Sequence, residues 1–194
     1  KLPQHGLNAI SAKIPAAVPI QCVKIEWGQQ VTRRGEVIDL KAEFLGLRDS
    51  VACDVHILEY DRDGNHDSIN TIPTEIKKGK LDLKWEYEYH EDTDEIPTEE
   101  ELQEYGSHYN PPEYFFVVEI DGQRFGEEQE SGLLEFKDWV EIELVDVNNR
   151  YLSNQEFMIF LPDGKNLKKV LDSNGHIRVG DLLPGVIKIE FKDL

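Results

Sequence analysis

The chain has 194 residues, 39% of them hydrophobic, which is enough apolar content for one large domain or two small ones with cores of their own. Its formal net charge is -18, which argues against a nucleic-acid or anionic-membrane partner, because binding a polyanion takes clustered lysine and arginine. No apolar run of about 18 residues is there to span a bilayer, and no signal peptide is visible in the chain.

The charge is unevenly spread. From Lys137 onward there are 10 acidic residues against 8 Lys+Arg, so residues 1–136 hold 29 against 13 and carry most of the excess. Cys22 and Cys53 are the two cysteines. They are too few for a disulfide scaffold and lack the paired spacing of a zinc site, so they read as separate thiols of a protein made in the cytoplasm.

Residues 1–19 contain Pro3, Pro15 and Pro19 and hold no sustained period, which predicts an extended arm or linker. Residues 1–18 are a candidate self-association segment, adding a strand to a neighbouring subunit. Order begins at Cys22–Trp27. Ile38, Leu40, Ala42 and Phe44 then alternate with polar residues, and Val51, Cys53, Val55 and Ile57 do the same, so Cys53 is expected in a core rather than as a reactive thiol.

Asp61, Asp63, Asn65 and Asp67 offer side-chain oxygens at alternate positions, as calcium loops do. His66 stands where an EF-hand needs glycine, and Ile72 where it needs a bidentate glutamate, so a solvated Asp-Gly turn is the simpler account. The four residues remain the candidate metal ligands of the chain.

Leu81, Leu83, Trp85, Tyr87 and Tyr89 form the apolar face of a long predicted strand. Between Glu86 and Glu104 there are ten acids and no lysine or arginine. This opens an acidic insertion over about residues 90–112, with a short helix expected over Glu99–Tyr105 from the Thr98/Glu101 capping pattern. It reads as a solvated loop or as a docking surface for a basic partner. Tyr114–Ile120, the Asp121-Gly122 hairpin, Gln123–Phe125 and Ser131–Phe136 complete about seven strands, an immunoglobulin-like sandwich over residues 20–136.

After a boundary at Lys137-Asp138, Val140, Ile142 and Leu144 alternate with Glu141 and Glu143, and Phe157, Ile159 and Leu161 follow. The turns Pro162-Asp163-Gly164, Asp172-Ser173-Asn174-Gly175 and Pro184-Gly185 separate the last short strands. A second small sandwich is expected over residues 137–194, and the fold class is all-β.

No catalytic signature is present: there is no GxSxG elbow, no HExxH, no glycine-rich phosphate loop, and the six histidines are scattered. The chain is read as non-enzymatic, with no cofactor beyond the calcium candidate.

The series from Trp139-Val140-Glu141-Ile142-Glu143-Leu144-Val145-Asp146 through LPDG, the DxNG turn and LxPG resembles the transthyretin-like, carboxypeptidase-regulatory-like module carried by type VI secretion spike (VgrG-type) proteins and proteins encoded with them. The series from Trp85 through EDTDEIP to PPEYFF and SGLLEF resembles the Ig-like module that precedes it in secretion-associated bacterial proteins. The resemblance implies an adaptor or structural extension of a contractile secretion spike. Such a protein binds a spike or effector protein, and is cytoplasmic before export and extracellular after it. The alternatives are an extracellular binding or adhesion module, or a filament subunit that assembles through its amino-terminal arm.

Overall fold

The structure is a computed structural model that describes residues 18–61, 64–87, 103 and 111–192. The arm up to residue 17, Asp63, most of the acidic insertion with its expected helix, and Tyr89 lie outside these residues. The chain is all-β as expected, with a large curled sheet followed by a small one.

The first strands are β1 (Gln21–Trp27), β2 (Val31–Arg33), β3 (Val37–Leu45), β4 (Ser50–Glu59), β5 (Ser68–Lys77), β6 (Lys80–Glu86), β7 (Glu113–Ile120) and β8 (Gln123–Phe125). They are followed by β9 (Leu134–Glu143), β10 (Glu156–Phe160), β11 (Asn166–Val170), β12 (His176–Leu182) and β13 (Lys188–Phe191). The large sheet runs β1-β3-β6-β5-β4-β7-β9-β12, with β2 beside β9 and β8 beside β7, and the small sheet runs β11-β10-β13.

The large sheet curls because β5 and β6 are paired at one position, Lys77 with Lys80, and splay apart beyond it. Lys78 and Gly79 both take positive φ there, the conformation of a tight two-residue hairpin. The inward residues of β1, β3 and β6 thereby face those of β4 and β7. Ile38, Leu40, Ala42 and Phe44 are buried, as are Val51, Cys53, Val55 and Ile57, so each predicted alternation falls with its apolar set inside. Trp27 packs edge-on against Phe116 at 4.9 Å, and Tyr87 lies 4.2 Å from Phe136. The buried hydroxyls of Tyr87 and Tyr114 meet at 3.1 Å, which satisfies polar groups that would otherwise be costly inside.

β5 is a strand that the sequence pattern does not announce. It holds Pro73 in its middle, and Pro73 pairs with Asp54 on β4 while the other side of the strand is largely open. That is the position in a sheet where a residue without an N–H costs least.

β9 ties the two bodies together. Its first part pairs with β2 at Glu135–Lys137 and with β7 at Glu113 and Tyr114, and its second part pairs with β12 from Asp138 to Glu143. The strand runs through Lys137-Asp138 without a break. Beyond it, Ile142, Val179 and Leu182 pack against Phe157, Ile159 and Leu171 in a second, smaller core between the β9/β12 pair and the small sheet. Two arginines brace the junction, Arg33 at the end of β2 and Arg34 directly after it. Arg34 holds Asp138 through Nε at 3.1 Å and through a short Nη2 contact, and Arg33 Nε reaches Asp181 Oδ1 at 2.8 Å.

Candidate functional site

β9 leads away from the large core, so the connections that follow it, and the turn into its partner β12, lie at the far end of the second body. Two aspartates organise that pole in the same way. Asp146 Oδ1 accepts the main-chain N–H groups of Asn148 (2.7 Å) and Arg150 (3.0 Å), while Arg150 Nε donates to Asp146 Oδ2 at 2.8 Å. Asp172 Oδ1 accepts the N–H groups of Asn174 (2.8 Å) and His176 (2.9 Å). Each carboxylate thus satisfies donors two and four residues on, a local bond pattern that lets a turn stand without a ladder. Both carboxyls are held below the usual aspartate range, chiefly by the N–H of Arg150 for Asp146 and by the N–H of His176 for Asp172.

The two turns are fastened to each other. The Leu144 N–H donates to the Gly175 carbonyl at 3.0 Å, and the Leu152 N–H to the Leu144 carbonyl at 2.9 Å. Gly175 has φ +71°, and a Cβ there would stand 3.1 Å from the backbone of Leu152, so any side chain would be strained and would crowd the neighbouring turn. Between the turns lies an open concavity of about 410 Å³ lined by Glu143, Tyr151, Asp172, Asn174 and His176. His176 Nε2 contacts Glu141 Oε1 at 2.8 Å. Above it, Val145 and Tyr151 form an isolated bridge and Val147 is 100% exposed.

The turn chemistry here is legible in the sequence: Asp146 before a loop, and Asp172-Ser173-Asn174-Gly175. The exposed Val147 and Tyr151 are not singled out by it. Their signal is an apolar residue inside a turn-forming run, Asp146-Val147-Asn148-Asn149, where alternation has ended and burial has no strand to direct it.

The calcium candidates fall elsewhere, on the connection between β4 and β5. Asp61, Asn65 and Asp67 are described and Asp63 is not. The loop closes on His66, whose Nδ1 accepts the Asp61 N–H at 3.0 Å and whose ring meets the edge of Phe115 at 4.8 Å. The Asp67 carbonyl accepts the Glu59 N–H at 2.9 Å. Among the described residues no three His, Cys, Asp or Glu side chains converge as a metal site would need. Phe115 faces away from the large core yet is fully buried, and the His66 ring is part of what covers it.

The long edges of the large sheet are poorly suited to strand addition. β1 carries a bulge between Cys22 and Lys24, β5 carries Pro73, and β12 shifts register between Val179 and Leu182, where Asp181 has φ 57°. Such features block edge-to-edge pairing. Cys53 is buried at 6% exposure and its thiol is pushed up to about 11, chiefly by burial, so it is inert at neutral pH.

No family model matches this chain, and no curated protein matches its sequence.

Proposed function

We propose that the chain is a non-enzymatic adaptor or structural extension of a type VI or related contractile secretion spike, joining it to a protein partner or cargo. The observation that carries this reading is the single strand Leu134–Glu143, which belongs to both bodies and makes them one hydrogen-bonded piece. A linker that must transmit position needs such stiffness, and a flexible tether would not supply it. The turn motifs from Asp146 to Pro184-Gly185 support the spike assignment by their resemblance to the transthyretin-like modules of spike proteins, and the Ig-like resemblance of residues 20–136 supports the same order of modules. The blunted edges of the large sheet favour recognition by loops over strand exchange. In this reading the protein is made in the cytoplasm and leaves the cell with the spike.

The test is co-expression with contractile-spike and effector proteins of the source organism, followed by size exclusion with light scattering. A complex of fixed stoichiometry is expected. Elution of the chain as a free monomer in the presence of every such protein would overturn the assignment, and a self-assembly that depends on residues 1–18 would replace it with the filament reading.

A further inference from the structure

We propose that the distal pole is a docking surface for a cationic segment of a partner protein, in which a lysine or arginine enters the concavity between Glu143 and Asp172 while a neighbouring apolar side chain packs on Val147 and Tyr151. The inference rests on the binding-module reading and names the chemistry of what is bound.

Exposure is the first argument. Val147 is 100% exposed, Tyr151 59% and Val145 43%, and all three sit on one short loop. Scattered apolar residues on a surface need no explanation, but three on a loop whose backbone is tied down by Asp146 form a presented patch.

Charge complementarity supplies the occupant. Several outward carboxylates on the sheets have a lysine of their own: Glu26 has Lys24, Glu43 has Lys80, Glu135 has Lys137 and Glu156 has Lys168. Glu143 and Asp172 have no lysine or arginine partner among the described residues, and no lysine or arginine lines the concavity between them. The concavity thus brings two carboxylates and the Tyr151 side chain together with no lysine or arginine among its lining residues, a setting that suits a cationic side chain. A divalent metal ion is a poorer fit, because Asp172 Oδ1 is already occupied by two main-chain N–H groups. Preorganisation favours binding as well. The main-chain bonds from Leu144 to Gly175 and from Leu152 to Leu144 fix both turns beforehand, so little ordering cost falls on association.

The probe is an acetylated, amidated octapeptide of alternating leucine and arginine, titrated into the isotopically labelled full chain and followed by amide chemical shifts. Its leucine–glutamate counterpart serves as the control peptide. The expected result is a saturable shift confined to residues 143–152 and 172–176, with the acidic peptide silent. The pair Glu143→Gln and Val147→Ser should weaken binding about tenfold, whereas Asp82→Asn, on the outer face of β6, should leave it unchanged. Both altered side chains at the pole are exposed, and an unchanged spectrum elsewhere verifies the fold. Shifts spread over the acidic surface, equal binding of the two peptides, or unchanged affinity in the double variant would overturn the proposal. Since no spike protein is present, such a failure removes the docking chemistry and leaves the adaptor assignment to co-purification.

Discussion

Thr32 is wholly buried in the three-residue strand β2, and its hydroxyl has no hydrogen-bond partner among the described residues. Its backbone pairs with Phe136 on β9, so the side chain is held in place by the ladder rather than by its own bonding. Removing a buried, unsatisfied hydroxyl while keeping the shape should stabilise the fold. Thr32→Val is expected to raise the unfolding free energy by about 1 kcal/mol, read as a shift of the urea midpoint with unchanged slope. A loss of similar size would show that the hydroxyl is satisfied after all. Cys53 makes a useful contrast. Both residues are small and buried, but Cys53 belongs to a ten-residue alternation that assigns its face in advance. Nothing in Val31-Thr32-Arg33 announces a strand, because three residues are too few to display a period.

At the scale of elements, the pole turns depend on two carboxylates that act as surrogate ladder partners. Asp146 and Asp172 are both held below the ordinary aspartate value by main-chain N–H donors. The unfolded chain therefore binds more protons at these positions than the folded one over the affected range. Their stabilising contribution is complete above about pH 4 and fades as pH falls from there toward the depressed values. Glu156 and Asp163 are lowered by their lysine partners and act in the same direction, so removing the two turn aspartates should flatten part of the acid limb. The double variant Asp146→Ala, Asp172→Ala is expected to melt lower than the parent at pH 7 and to lose less on going to pH 3. Thermal melts across that range decide it, and parallel curves for the two proteins would refute the role given to the carboxylates. Elements of this kind were readable beforehand, since Asp-x-Asn-Gly and Pro-Asp-Gly state their turn chemistry in the residues themselves. Strand β5 was hidden for the opposite reason: Pro73 and the polar run around it contradict a central strand, and they fit only a strand with one open side. The exposure of Val147 was equally hidden, because it depends on what the rest of the fold leaves uncovered. Among the four calcium candidates, the alternate spacing was visible in the sequence, but the His66 ring turning onto Phe115 was not. Alternation describes a strand's faces and does not say where the ring of a loop residue will lodge.

For the molecule as a whole, the question is whether two cores behave as one body. At about 3.4 Å per residue, the ten residues of β9 extend some 30 Å, with the large core at one end and the pole at the other. Separating the bodies would require breaking the strand's ladder on one side, together with the contacts of Arg34. That side chain holds Asp138 with two hydrogen bonds, and both groups are partly withdrawn from solvent, whereas the Arg33–Asp181 pair is exposed. Arg34→Ala leaves Asp138 without this partner and should cost about 1–3 kcal/mol, while Arg33→Ala, at an exposed and solvent-screened pair, should leave stability close to that of the parent. Scanning calorimetry of the parent is expected to show one transition whose calorimetric and van't Hoff enthalpies agree, and Arg34→Ala should lower its midpoint, with Arg33→Ala close to the parent. Two separate transitions in the parent would mean that the bodies unfold independently and that the shared strand does not couple them. A chain of that kind would bend at Lys137-Asp138 under load and would make a poor extension for a spike, so the calorimeter tests the mechanical premise of the adaptor before any partner is in hand.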